Sequence, residues 1–110
     1  MANKYINKAF DLSTTDATII YTVPAETVAI AKTVQAYNDT ASAVTVTMSF
    51  TDASASTTYN IGFASSTSIE QFSLLTDSLL VLEESDVLKL TASVGTQVTG
   101  VASILEQDRT

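Results

Sequence analysis

A chain of 110 residues with no histidine, cysteine or tryptophan has no imidazole base and no thiolate nucleophile. It also lacks the nitrogen and sulfur ligands of a zinc site. Carboxylate chemistry is what remains, from 12 aspartates and glutamates. Glu83, Glu84 and Asp86 fall together around an expected turn, and such a cluster would suit a hard cation such as Ca²⁺. Their spacing is not that of an EF-hand loop, however, and a solvated, charged hairpin tip accounts for them more simply. Any two of the carboxylates form a nominal glycosidase pair, so pairing carries no specificity. Gly62, Gly95 and Gly100 stand too far apart for a phosphate-binding loop. Asn38-Asp39-Thr40 matches a glycosylation acceptor, a pattern with meaning only in a secretory context. The residue types therefore predict a protein that is not an enzyme and has no catalytic residue, no cofactor and no bound metal.

Charge narrows the partners. The net charge is −7, and the five basic residues, Lys4, Lys8, Lys32, Lys89 and Arg109, are scattered. Displacing the counterions of a nucleic acid needs clustered cations, so no nucleic-acid partner is expected. The acidity reads as colloidal stability. No apolar run reaches the length of a membrane span, and none follows the amino terminus at signal-peptide length, which predicts a soluble, unprocessed protein without a membrane partner. Without cysteine, the fold must rest on packing and backbone pairing.

The elements that would position any site are strands. Hydrophobic content is 45% and is carried by Val, Ile, Leu and Ala. Ser and Thr supply roughly 28% of the chain, about twice their usual share. Thr and Val suit a pleated, half-buried surface. From Ala43 to Thr51, Val44, Val46, Met48 and Phe50 alternate with Thr45, Thr47, Ser49 and Thr51, the pattern of a strand buried on one face. From Thr27 to Ala36 the alternation is softer. Val28, Ile30, Val34 and Ala36 share one face, interrupted by Lys32, and the small residues opposite predict a strand covered on both sides. Further strands are expected over 6–12, 17–23, 57–63, 68–74, 79–83, 87–92 and 97–105. Ser, Thr, Asn, Asp and Pro clusters separate them every 8 to 14 residues or so, the rhythm of a sandwich or barrel. A helix over 68–84 is the competing reading, because Ile69, Phe72, Leu75, Leu79 and Leu82 recur at helical steps; two strands around Thr76-Asp77-Ser78 agree better with their neighbours. The expected fold is all-β, a single antiparallel β-sandwich, Ig-like or jelly-roll-like.

The eight aromatic residues are spread along the strands and read mostly as core and rim, with a stacking platform for sugars or bases as the minority reading. Tyr5, Ile6 and Phe10 precede the polar loop Ser13 to Asp16, so residues 1–16 form either an extended arm or a first strand, ahead of a sandwich over 17–110. As an arm, Tyr5, Ile6 and Phe10 would bind a partner by pairing with an exposed sheet edge.

Several segments resemble small virion structural proteins of tailed bacteriophages, especially marine ones. Tyr21-Thr22-Val23-Pro24-Ala25 is followed by a Val/Ile-rich strand, with Glu26 where glycine is common in that group. Asn38-Asp39, Ala43 to Val46 and Asp52 to Tyr59 match as well. Leu82 to Ser93 matches a turn that more often reads Ala-Gly-Asp, here Glu84-Ser85-Asp86. The similarity spans roughly residues 17–106 and leaves 1–16 outside. It implies a capsid decoration or cement protein on the virion surface, oligomeric and trimeric by preference, whose partner is the major capsid protein or another virion protein. A tail, baseplate or fibre-attachment protein is the alternative within that class, and a carbohydrate-binding or adhesive module the alternative outside it.

Overall fold

The computed structural model describes residues 3–39, 41–66, 69–75, 79–93 and 98–108. Their secondary structure is entirely β, in nine strands: β1 (Asn3–Leu12), β2 (Thr18–Thr22), β3 (Thr27–Asn38), β4 (Val44–Asp52), β5 (Thr57–Ser66), β6 (Glu70–Leu75), β7 (Leu80–Leu82), β8 (Val87–Ala92) and β9 (Val98–Asp108). The helix considered over 68–84 is replaced by β6 and β7. Both lie antiparallel to β3 along one edge, β7 against Ala29–Ala31 and β6 against Val34–Asn38, so they act as one interrupted strand. The turn expected at Thr76-Asp77-Ser78 lies outside the described residues. No described helix is long and apolar enough to cross a membrane.

The strands form two antiparallel sheets. Sheet A has the order β1-β9-β3-β6, with β7 also on β3, and sheet B has the order β2-β8-β4-β5. Successive strands cross between layers: β1 lies in A, β2 in B, β3 in A and β4 in B. An Ig-like sandwich would place its first two strands in one sheet, so of the two expected sandwich types this is the jelly roll.

The core lies between the sheets and is unequal in kind. Sheet B contributes Val44, Val46, Met48, Leu88 and Leu90, all buried. Sheet A contributes Ala29, Ala31, Ala36 and Ala102, joined by Phe10, Leu12, Val34, Val98, Ile104 and Leu82. Bulky side chains from one sheet thus meet many small ones from the other, as close interdigitation at native packing density requires.

In β3 the phase of the strand differs from the alternation expected. The pairing with β9 passes from Ala31↔Ile104 to Thr33↔Ser103, which leaves Lys32 as the extra residue of a bulge. A slip of one residue exchanges the two faces of a strand. Ahead of the bulge, therefore, Thr27, Ala29 and Ala31 point inward while Val28 and Ile30 point out; beyond it, Val34, Ala36 and Asn38 point inward. The sequence pattern put Val28 and Ile30 on the same side as Val34 because it counted Lys32 as a regular position.

Candidate interaction surfaces

β1 is a paired edge strand of sheet A, in register with β9 from Asn3↔Gln107 to Leu12↔Val98. Of the two readings of the amino terminus, the first strand is the one seen, and this divides the three residues expected to bind a partner. Tyr5 points outward and is 74% exposed. The Lys32 ammonium lies 5.6 Å from its ring centroid, within cation–π range. Ile6 faces inward and packs, half-buried, against the core. Phe10 is itself a core residue, 8% exposed. Its assignment to a contact surface is therefore corrected: withdrawing that ring from the sandwich would give up about 2–3 kcal/mol of apolar burial.

The Phe10 ring requires a glycine beside it. At Gly100, a Cβ would lie 2.0 Å from the Gln35 carbonyl oxygen, 2.6 Å from Phe10 Cζ and 2.9 Å from Ala36 Cα. Only hydrogen fits where β1, β9 and β3 meet.

Register places four apolar residues side by side on the outer face of sheet A. Tyr5 pairs with Leu105, Leu105 with Ile30, and Ile30 with Val81, one from each of β1, β9, β3 and β7. Val81 is 59% exposed, and Leu105 and Ile30 are half-buried. These residues form a ridge across the sheet. Toward the other end of the same face lies a shallow hollow of about 300 Å³, bordered by Gln35, Tyr37, Gln71, Thr99 and Val101. Gln71 Nε2 donates to Gln35 Oε1 at 3.1 Å, so these amides are engaged with each other.

The outer face of sheet B is polar by comparison. Thr45, Thr47 and Thr91 occupy it, and Thr45 shares a hydroxyl hydrogen bond with Ser65 of the next strand at 2.9 Å. Large apolar side chains interrupt it, foremost Ile19 on β2, 61% exposed, and Phe63 on β5, 74% exposed. β5 is also the outermost strand of its sheet and has no charged residue between Thr57 and Ser66. Long uncharged edge strands are surfaces on which other chains pair.

The acidic cluster is engaged in holding turns. Asp86, 4% exposed, accepts hydrogen bonds from the Ala53 amide at 3.0 Å and the Glu83 amide at 2.9 Å, one on each carboxylate oxygen. It thereby ties the β4–β5 turn to the β7–β8 turn. The Glu84 carboxylate accepts from the Glu26 amide. Among the described residues, no group of three potential ligands is arranged to hold a metal ion. Asn38 of the glycosylation pattern is fully buried, donating through Nδ2 to the Ser42 carbonyl at 2.9 Å and to Ser66 Oγ at 3.3 Å.

One polar bridge joins the sheets. Tyr21 of β2 donates its hydroxyl to Glu106 Oε2 of β9. Burial, then the hydrogen bond and the charge of Glu106, push the Tyr21 phenol well above the usual tyrosine range. The Lys8 ammonium stands 6.0 Å from its ring centroid.

The sequence reading did not single out Ile30, Val81, Leu105 or Phe63 as surface residues. For the first three the signal is alternation that leaves apolar residues on both sides of a strand. In β9, Val101 and Leu105 face outward while Ala102 and Ile104 face inward.

Neither a protein-family model nor a curated protein matches the chain. Among solved structures, it is similar to the Eiger TNF of S. frugiperda, with a TM-score of 0.53 and 12% identity over 84% of this chain and 66% of that one. It thus spans just under two thirds of the Eiger chain. It is also similar to a protein of Bacillus endospore appendages, disulfide-linked pili, with a TM-score of 0.50 and 15% identity over 96% of this chain and 84% of that one. At these identities the likenesses show a shared β-sandwich fold.

Proposed function

We propose that the chain is a structural protein of a bacteriophage virion, a decoration protein that binds the assembled capsid shell and stabilises it. The observation that carries this reading is the distribution of exposed apolar side chains. Tyr5 and Val81 lie on the outer face of one sheet, Ile19 and Phe63 on the outer face of the other. A slab with apolar patches on opposite faces is suited to lie between partners, and large exposed apolar patches on soluble domains mark such contacts. A protein that binds only the assembled shell stabilises it by linkage, and many modest contacts repeated by symmetry add up.

Two backbone positions lend support to the resemblance from which the virion assignment comes. The chain has Glu26 and Ser85 where the resembling phage proteins favour glycine, and both have left-handed backbones, with φ of 55° and 70°. That conformation is the one in which glycine is least strained. The turns therefore have the shape that glycine would favour, although the side chains differ.

The test is binding to capsids that lack the protein. Purified chain should co-sediment with them at a copy number proportional to the major capsid subunits. Phe63→Ser, at an exposed site, should weaken that binding at least tenfold without changing the melting temperature. Binding at the few copies expected of a tail component would move the protein to the tail, baseplate or fibre attachment. Absence of binding to any virion part would reject the virion reading.

A further inference from the structure

We infer that the outer face of sheet A is a twofold interface between two copies of this chain, in which the ridge of each copy sits in the hollow of the other. Register fixes the geometry. The ridge row Tyr5–Leu105–Ile30–Val81 and the row Asp11–Thr99–Tyr37–Gln71 are separated by two intervening rows on β1, β9 and β3. A twofold axis crossing the strands midway between them lays each row over the other. Leu105, Ile30 and Val81 then lie over Thr99, Tyr37 and Gln71, which border the hollow, and the projecting Tyr5 meets Asp11. Face-to-face packing of two sheets about 10 Å apart, with interlocking side chains, is the ordinary way to cover such a surface.

Charge identifies the occupant as a second copy. With a net charge of −7, two chains repel in general, so a self-association surface must be nearly free of acid. Among the strand residues that register places on this face, the charged ones are Lys32, beside the ridge, and Asp11, in the hollow row. Opposite signs at opposite ends are what a twofold brings together. A ring of three would instead need two different patches on separate sides of the molecule. Here projection and recess share one face.

The area is adequate. Four strands about 4.8 Å apart and ten residues long at about 3.3 Å each give a footprint of about 600 Å² before side-chain relief is added. Standard interfaces bury about 800 Å² per partner, so the dimer belongs at the small, reversible end of that class. A covered outer face also explains why β3 carries Val28 and Ile30 outward: strands buried on both sides read as apolar on both sides.

The interface concerns the chain alone and does not rest on the virion reading. Sedimentation equilibrium of the full chain, from about 1 to 300 µM, spans the range in which an interface of this size dissociates. A monomer–dimer equilibrium is expected. Val81→Glu, at an exposed position, should weaken it at least tenfold while far-UV circular dichroism and melting stay unchanged. Phe63→Ser, on the opposite face, should leave it intact. A monomer throughout, a trimer, or a dimer indifferent to Val81→Glu would overturn the inference. Because the capsid test reads Phe63→Ser and this one reads Val81→Glu, failure of either is distinguishable from failure of the other.

Discussion

The two sheets finish their outer faces differently. Sheet B finishes much of its own with hydroxyls that pair across strands, as Thr45 does with Ser65 and Thr51 with Thr58, and leaves Ile19 and Phe63 as separate apolar points. Sheet A leaves an apolar ridge and a hollow. The inner faces differ in the opposite sense, with bulky Val, Leu and Met on sheet B and many Ala residues with Gly100 on sheet A. Sheet A thus depends on close backbone approach within the chain and gathers its outward apolar residues into one row, whereas sheet B depends on side-chain bulk and on its turns.

The strongest way to break this contrast is at Gly100. In Gly100→Ala the new methyl would meet a carbonyl oxygen of β3 and the Phe10 ring at distances no real Cβ tolerates, so β9 must move away from β3. A loss of at least about 3 kcal/mol in urea unfolding is expected, toward the upper end for overpacking. The matched substitution on sheet B, Thr47→Ala, should change stability by less than about 0.5 kcal/mol. Equal effects at the two sites would abolish the distinction drawn between the sheets.

Next in size is Asp86→Ala, which acts on the turns of sheet B. It removes both acceptors that satisfy the Ala53 and Glu83 amides. Hydrogen bonds to a charged group contribute about 1.5–3 kcal/mol, and a loss of about 2–3 kcal/mol is expected. Hydrogen exchange should accelerate first at Ala53 and Glu83, and protection in the β3–β9 pairing should persist until global unfolding. Loss of protection spread evenly over both sheets would mean that the turn does not serve sheet B in particular.

Tyr21→Phe tests the bridge between the sheets. Removing the hydroxyl leaves Glu106 without that donor and should cost about 1–2 kcal/mol at neutral pH. Because the folded phenol titrates above its unfolded counterpart, its contribution is fully present below about pH 10 and declines as pH rises beyond that. The native protein should therefore lose stability on going from about pH 9.5 to 11, and Tyr21→Phe should lose less across the same interval. Parallel pH profiles for the two proteins would show that the phenol does not govern alkaline stability.

Legibility in the sequence followed the same division. β4 was readable because its outer face is finished with hydroxyls, so that Val44, Val46 and Met48 stand out against Thr45 and Thr47. β8 was readable at both ends. The inward phase of β3 was not, because Lys32 occupies a bulge, and nothing in a lysine between Ala31 and Thr33 marks an unpaired position. Tyr5 reads as a contact residue from its place in the chain, and so does Phe10, yet they face opposite sides of the same strand. Their separation depends on register with β9, which is a long-range fact. The cluster at Glu83, Glu84 and Asp86 was visible, but its work as a turn clamp depends on Ala53 and Glu26, remote in sequence.

The smallest expected effect is a gain, at Ser85. Its φ of 70° places a serine where the absence of a Cβ removes strain, and the turn hydrogen bonds pass through backbone groups: the Ser85 amide donates to the Val23 carbonyl at 3.1 Å and the Asp86 amide to the Glu83 carbonyl at 3.0 Å. Ser85→Gly keeps these bonds and relieves the left-handed side chain. Glycine's greater freedom in the unfolded chain offsets part of the gain. A net stabilisation of about 0.5–1 kcal/mol is expected, read as a rise in melting temperature. Since Ser85 belongs to the turn that joins β7 of sheet A to β8 of sheet B, the gain should persist in an Asp86→Ala background only if backbone strain, and not the carboxylate clamp, sets the shape of that turn. If the gain instead disappears there, the clamp is what holds Ser85 in its left-handed conformation.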